Sequence, residues 1–75
     1  MDGVDKLPVL FQAVTILDCS AEGQRDGYPY LQTQPGEELA VLFEDKDEEG
    51  EQWLLARVNA RNNVGFIRSA SVVAM

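Results

Sequence analysis

The chain of 75 residues has no histidine, one cysteine and no long hydrophobic run. Without histidine it lacks the side chain that most often acts as a general base near neutral pH. Cys19 alone cannot form a disulfide within the chain, which excludes a small secreted scaffold held together by such bonds. No stretch approaches the about 18 consecutive apolar residues of a membrane-spanning helix, and Asp2 and Asp5 stand where a signal peptide would be basic. These absences predict a cytoplasmic protein with no membrane insertion.

Basic residues are few and unevenly placed. Residues 1–51 hold all 13 acidic residues and three basic ones, a balance of −10, whereas residues 52–75 hold three arginines and no acid, a balance of +3. The net charge of −7 repels phosphate backbones and anionic lipid, so we expect no nucleic-acid partner. We expect Arg57, Arg61 and Arg68 to pair with the acid-rich loops rather than to form a phosphate site.

The length of the chain suits one small domain with a modest core. Domains usually need about 50 residues or more, and one of this size has little room for a deep substrate cavity. Cys19 has no imidazole or obvious cationic neighbour that would activate its thiol, and the carboxylates lie on exposed segments. The sequence therefore predicts a protein that is not an enzyme and that holds no cofactor and no metal.

Short runs of apolar and polar alternation predict an all-β fold of five short strands. We predict strands over residues 9–17, 38–43, 53–58, 64–68 and 72–74, with one helical turn at residues 69–71. In the second strand the alternation places Leu39, Val41 and Phe43 on one face. Residues 1–8 show no lasting period and are interpreted as a flexible lead-in to a domain that spans residues 9–75.

Two segments between these strands have the composition of loops. Residues 18–36, called the 18–36 loop below, are rich in glycine and proline, and long loops of this kind are often functional. Within this loop we expect residues 30–33 to form a short extended arm that pairs back on the loop. Residues 44–51 contain seven charged residues and Gly50, and we interpret them as a solvated loop. Residues 59–63 predict a tight turn, since asparagine tolerates a positive φ.

The acidic segment 44–51 has two interpretations that the sequence leaves open. It either attracts basic partners or only keeps the domain soluble. Asp45, Asp47 and Glu49 alternate before Gly50 as in a calcium-binding loop, but the twelfth position, which should carry a bidentate acid, is Ala56 inside a predicted strand. We therefore set calcium aside.

In the order of its parts the chain resembles a Src homology 3 (SH3) domain over residues 10–74. The resemblance rests on the following residues: Leu31, Gly36, Glu37, Leu39, Val41, Trp53, Ala56, Arg57, Gly65, Phe66, Ile67, Ser69 and Val72. It implies a small five-stranded barrel of two orthogonally packed sheets with one short 3-10 turn. The core that it implies consists of Ala13, Leu31, Leu39, Val41, Ala56, Ile67 and Val72.

The resemblance is to an atypical SH3 domain, because most of the peptide groove is replaced. In the family this groove is a row of aromatic rings that holds the prolines of a polyproline helix. Here residues 13–17 read Ala-Val-Thr-Ile-Leu where Ala-Leu-Tyr-Asp-Tyr is usual, and residues 68–71 read Arg-Ser-Ala-Ser where Pro-Ser-Asn-Tyr is usual. Of the rings on the groove floor only Trp53 remains.

The candidate ligand-binding residues are Trp53, Tyr28, Tyr30, Asp26, Glu48, Glu49 and Glu51. Trp53 should face outward and offers a large apolar surface with one N–H donor; the alternative is that it folds over neighbouring loops for stability. Tyr28 and Tyr30 either form an aromatic ledge beside Trp53, or one of them packs under the loop. The acidic residues would supply charge complementarity to a basic ligand.

These features predict a monomeric interaction module from a larger cytoplasmic signalling or scaffold protein. We expect it to bind a short proline-containing or basic peptide segment weakly, because few rings remain in the groove. The alternative is a structural or regulatory domain that docks on a neighbouring domain of its own parent chain, without polyproline binding.

Overall fold

A computed structural model describes residues 7–75 as seven strands and one short 3-10 helix. The elements are β1 (Phe11–Thr15), β2 (Gln24–Arg25), β3 (Tyr28–Pro29), β4 (Glu38–Lys46), β5 (Gln52–Val58), β6 (Asn63–Arg68), the 3-10 helix (Ser69–Ser71) and β7 (Val72–Ala74). Most of the predicted flexible lead-in lies outside the described residues, which begin at Leu7. No helix in this part of the chain is long and apolar enough to cross a membrane.

Five of the strands form one antiparallel sheet, in the order β6-β5-β4-β1-β7. The two short strands β2 and β3 form a separate hairpin within the 18–36 loop. Over residues 7–75 the ladder of the large sheet does not close, since β6 and β7 stand at its two ends. The all-β prediction is therefore confirmed as an antiparallel five-stranded sheet with an additional hairpin.

The prediction that Phe43 shares a face with Leu39 and Val41 is wrong. A β-bulge lies between Val41 and Phe43, where β4 carries one residue more than β5. An extra residue reverses the side-chain alternation beyond it. Phe43 therefore lies on the outer face of the sheet and is 51% exposed, whereas Leu39 and Val41 are fully buried.

The loop predicted over residues 44–51 is shorter in the structure, because β4 continues through Lys46. Charged residues are tolerated in this part of the strand because it is the solvated end of a hairpin. There the Gln52 side chain donates a hydrogen bond to the Glu44 carboxylate at 2.9 Å. The connection itself is residues 47–51, called the 47–51 loop, and Gly50 closes it with a φ of 86° and a hydrogen bond to the Asp47 carbonyl.

A single hydrophobic cluster fills the inner face of the sheet. All the core residues that the resemblance implied are buried, namely Ala13, Leu31, Leu39, Val41, Ala56, Ile67 and Val72. Leu54 and Val58 of β5 complete this cluster. Ile67 belongs to the end strand β6 and Val72 to the opposite end strand β7, so the sheet curls until both ends contact one core.

The 18–36 loop folds back on itself, as predicted for its second half. The backbones of Cys19 and Thr33 exchange two hydrogen bonds of 2.9 and 2.8 Å. At the tip, Asp26 and Gly27 have φ values of 52° and 86°, which is the two-residue type I′ turn that favours Asp-Gly. This Asp-Gly pair was a hairpin signal that our reading of the sequence missed.

The remaining strand predictions agree with the structure to within a few residues. β5 and β6 each begin one residue before the predicted start, and β7 and the 3-10 helix have the predicted bounds. β1 is shorter than the predicted strand over residues 9–17. In the turn between β5 and β6, Asn62 has the expected positive φ, 59°.

Candidate functional site

A shallow cleft of about 280 Å³ lies between the base of the 18–36 loop, strands β5 and β6, and the 3-10 helix. Its lining is mostly apolar and consists of Leu17, Asp18, Cys19, Ser20, Ala21, Tyr30, Leu31, Trp53, Phe66, Ile67, Arg68 and Ser71. Leu17 stands at the rim with 51% of its surface exposed, and Ile67 is buried below it. The cleft therefore combines a buried apolar residue, Ile67, with an exposed apolar residue, Leu17, at its rim.

Trp53 lines this cleft and is held by several neighbours of its own chain. The residue is half-buried, and its indole N–H donates a hydrogen bond to the Asp47 carboxylate at 3.1 Å. The Tyr30 ring stacks on the indole with centroids 5.3 Å apart and planes inclined by 30°. The Arg68 guanidinium lies 5.4 Å from the indole centroid. Since Asp47 already accepts the indole N–H, Trp53 offers a ligand its apolar surface only.

Asp47 fixes both the 47–51 loop and Trp53, and the sequence analysis assigned it no such role. One carboxylate oxygen accepts the backbone N–H groups of Glu49 and Glu51, both at 2.9 Å, while the other accepts the indole N–H. The Trp53 hydrogen bond and then the Glu51 backbone N–H hold the pKa of Asp47 below its ordinary value. An Asp that opens a turn closed by glycine is the signal that would have found it.

Arg25, in strand β2 of the loop hairpin, reaches across to the sheet beside Trp53. Its Nη2 lies 2.7 Å from the Asp45 carboxylate, and only 19% of its side chain is exposed. The guanidinium carbon is 5.6 Å from the Trp53 ring centroid and 5.5 Å from that of Phe66. The Asp45 hydrogen bond raises the pKa of Arg25 above its already high value. No local pattern in the sequence indicates these contacts, because the partners lie far along the chain.

The two tyrosines of the 18–36 loop take different positions. Tyr30 stacks on Trp53 and contributes to the cleft lining. Tyr28 packs edge-on against Phe66, with ring centroids 6.1 Å apart, and is not part of that lining. The aromatic ledge beside Trp53 is thus made by one tyrosine rather than two.

None of the acidic candidates lines the cleft. Asp26 lies at the tip of the hairpin and Glu48 and Glu49 at the tip of the 47–51 loop, all exposed to solvent. The Glu51 carboxylate lies 3.4 Å from the Arg68 guanidinium Nε. This ion pair partly neutralises the basic edge of the cleft.

The expected pairing of the arginines with acid-rich segments holds for two of the three. Arg68 pairs with Glu51, and Arg61 pairs with the Glu37 carboxylate. Arg57 forms no ion pair within the described part of the chain. Two of the three positive charges of residues 52–75 are therefore neutralised by acidic residues of the same chain.

Thr15 and Glu37 fix the base of the 18–36 loop, and the sequence analysis assigned no role to the Thr15 hydroxyl. This buried hydroxyl donates to the Gln34 carbonyl at 2.6 Å and accepts the Glu37 backbone N–H at 2.9 Å. The Glu37 carboxylate accepts the Gln34 backbone N–H at 2.8 Å and pairs with Arg61. The hydrogen bond from the Gln34 backbone N–H makes the largest contribution to lowering the pKa of Glu37. The hydrogen bond from Arg61 lowers it further.

The arrangement offers a ligand contact with apolar side chains. Within residues 7–75 no group of three or more acidic, histidine or cysteine side chains is placed to hold a metal ion. The thiol in the lining, Cys19 Sγ, approaches the Leu17 carbonyl at 3.8 Å and has no hydrogen bond with a cationic side chain of residues 7–75. What the cleft presents is an apolar floor, a tryptophan–tyrosine pair and an arginine at one edge.

Comparison of the chain with protein-family models, with curated proteins and with solved structures gave no match in any of the three. Functional conclusions therefore rest on the residues of this chain and on their geometry.

Proposed function

We propose that the chain is a non-catalytic, monomeric SH3-like interaction module of a larger cytoplasmic signalling or scaffold protein. In this proposal the sheet forms a small barrel whose two halves pack orthogonally. Two features support it: the element order expected from the SH3 resemblance, and the contribution of both end strands, through Ile67 and Val72, to one core. The β-bulge after Val41 supplies the local twist that lets one long strand serve both halves.

The ligand in this proposal is a short proline-containing or basic peptide segment that binds in the cleft beside Trp53. The observation that carries the proposal is the open apolar cleft with the stacked Tyr30 and Trp53 rings on one side and exposed Leu17 on the other. Its small volume takes one or two side chains of an extended segment. With a single tryptophan–tyrosine pair on the floor, we expect a Kd on the order of 100 µM or weaker.

Charge gives the proposed ligand its basic character. The chain carries a net charge of −7, and Asp26, Glu48 and Glu49 are exposed to solvent. Complementary charge of this kind raises the association rate and selectivity more than the affinity. We therefore expect binding to weaken as salt concentration rises.

An amide chemical-shift titration of the ¹⁵N-labelled chain tests this proposal. The probes are proline-rich peptides that carry Arg or Lys at either end. We expect saturable shifts at the Trp53 indole and at cleft residues such as Leu17 and Ser71. If no peptide of the panel changed the amide chemical shifts at millimolar concentration, the proposal would be contradicted.

Two neighbouring apolar residues provide a matched pair of variants for this titration. Leu17 and Ile16 are exposed to 51% and 46%, but only Leu17 lines the cleft. Leu17→Ser should weaken peptide binding about five-fold or more, which corresponds to about 1 kcal/mol of lost apolar contact. Ile16→Ser should leave binding unchanged. Equal effects of the two variants would place the binding site elsewhere.

The second candidate function is docking on a neighbouring domain of the parent chain, without polyproline binding. It is favoured by the contacts that Trp53 already makes within the chain. Its indole N–H donates to Asp47 and its ring stacks on Tyr30, so less of Trp53 is left for a peptide. It is also favoured by exposed apolar side chains outside the cleft, such as Phe43 and Val73. Docking predicts that Trp53 fluorescence is shielded from a solvent quencher in a longer piece of the parent chain, while the peptide panel gives no shifts.

A further inference from the structure

The tip of the 18–36 loop places an arginine of the chain itself in a site suited to a guanidinium group. The Asp45 carboxylate accepts a hydrogen bond from Arg25 Nη2 at 2.7 Å. The Trp53 and Phe66 rings flank the guanidinium carbon at 5.6 and 5.5 Å from their centroids. A carboxylate together with aromatic faces is the combination that recognises a planar cation, by a charge-assisted hydrogen bond and by cation–π attraction.

Arg25 fills this site without satisfying all of its own donors. Among residues 7–75 its buried Nε has no hydrogen-bond partner, and the only side-chain hydrogen bond that Arg25 makes there is the one to Asp45. A buried donor without a partner carries a desolvation cost that the single hydrogen bond only partly offsets. The contact is therefore one that a better-placed group can replace.

The element that carries Arg25 is small enough to release it. β2 and β3 pair over two residues each, and a two-stranded hairpin of this length has little stability of its own. Arg25 can leave the site by a change of side-chain rotamer or by a small movement of the hairpin. The base of the loop stays fixed by Thr15 and by the Cys19 and Thr33 backbone pair.

We propose that Arg25 is an internal ligand that closes a guanidinium site made by Asp45, Trp53 and Phe66, so that a basic segment must displace Arg25 to reach Trp53 fully. The site is then autoinhibited by the chain's own loop. This inference rests on the proposed peptide-binding function for its biological role. The closure itself is a property of the isolated domain and is tested without any peptide.

N-acetylarginine amide serves as the probe, and the Trp53 indole resonance serves as the readout. We expect Arg25→Gln to bind the probe at least about tenfold more tightly than the unmodified chain. The reason is that the sites that Arg25 occupies in the unmodified chain are free for the probe in the variant. N-acetyllysine amide, with the same charge but no planar fork, should bind Arg25→Gln more weakly than the arginine probe. Adding Asp45→Asn to Arg25→Gln should abolish the gain.

Arg57→Gln is the matched control, because it makes the same change in net charge on the outer face of β5, away from the site. Its affinity for the probe should equal that of the unmodified chain. Equal probe binding by Arg25→Gln and Arg57→Gln would overturn the proposal, as would the absence of saturable binding by Arg25→Gln. Failure of the peptide panel together with success of the arginine probe would reject peptide binding but leave the closed site established.

A measurement on the unmodified chain covers the case in which Arg25→Gln does not fold. A guanidinium held between two rings should show ring-current shifts of its neighbouring methylene protons and slowed rotation about the Cζ–Nε bond. Arg57 provides the internal reference for a side chain outside the site. Random-coil shifts and fast rotation at Arg25 would overturn the proposal without any variant.

Discussion

The Thr15 side chain ties β1 to the end of the 18–36 loop. It is 2% exposed, and its hydroxyl joins the Gln34 carbonyl to the Glu37 backbone N–H. Thr15→Val has the same shape but leaves both backbone groups without this partner. We expect a loss of about 1–3 kcal/mol in the free energy of unfolding, measured by urea denaturation.

Thr15→Ser is the control for this prediction. It keeps the hydroxyl and removes one buried methyl group, which should cost about 1 kcal/mol or less. If the valine variant were as stable as the serine variant, the hydroxyl would have no structural role and the base of the loop would be held by its backbone hydrogen bonds alone.

The 47–51 loop is an element whose order depends on Asp47. We expect Asp47→Ala to release the indole of Trp53 and the amides of Glu49 and Glu51, because all three donate to the missing carboxylate. The measurements are the chemical shift of the indole N–H and hydrogen exchange at the two amides. Glu48→Ala changes the same charge in the same loop and should leave these signals in place.

The arm of the 18–36 loop that crosses β6 depends on the absence of a side chain at Gly65. A Cβ there would lie 2.3 Å from the Pro29 carbonyl oxygen. Next to this contact, the Leu31 backbone N–H donates a hydrogen bond of 2.8 Å to the Phe66 carbonyl. We therefore expect Gly65→Ala to cost about 1–3 kcal/mol, as other overpacking changes do. It should also increase hydrogen exchange at the Leu31 amide.

Gly50→Ala separates this steric effect from backbone strain. At Gly50 a Cβ would meet no atom within 4 Å, but φ is 86°. The expected cost is about 1 kcal/mol from the left-handed conformation alone. Gly50→Ala should leave the Leu31 amide protected, and the prediction fails if both variants release it.

At the scale of the whole molecule, acid should weaken the fold through Asp47 and Glu37. The pKa of each is lower in the folded chain than its ordinary value, for Asp47 chiefly through the Trp53 indole and for Glu37 chiefly through the Gln34 backbone N–H. A lowered folded-state pKa contributes stability that is complete above the unfolded-state pKa and is lost as the pH falls through the folded-state value. We expect the urea midpoint to fall from about pH 5 downward.

Glu37→Gln tests the assignment of this pH dependence. The variant should be less stable than the unmodified chain near pH 7. The difference should shrink as the pH falls from about 4 through the lower folded-state pKa of Glu37, because the carboxylate is protonated first in the unfolded chain and only then in the folded chain. Glu48→Gln, with the same charge change on an exposed loop, is the control. A similar pH dependence for both variants would assign the effect to general charge repulsion instead.

Much of the sheet was predictable, because alternation with a period of two follows directly from strand geometry. It located β5 and β6 to within one residue. The same rule failed at Phe43, since residues 39–43 are all apolar and such a run carries no signature of the bulge after Val41. The aromatic candidates of the site were found by residue type, and a ledge beside Trp53 was one of the two arrangements left open for Tyr28 and Tyr30.

The sequence by itself determined the strand-forming segments, the turn at residues 59–63 and the surplus of negative charge, because each depends on local preference or on composition. The core residues were implied by the SH3 resemblance. Only the tertiary structure decided which side chains meet at Trp53. Asp47 binds the indole, Tyr30 stacks on it, and Arg25 closes the space beside it at Asp45. Tyr30 and Arg25 come from the 18–36 loop, which approaches β4 and β5 only when it folds over the curled sheet. Contacts between distant segments depend on that curl, which no local pattern contains.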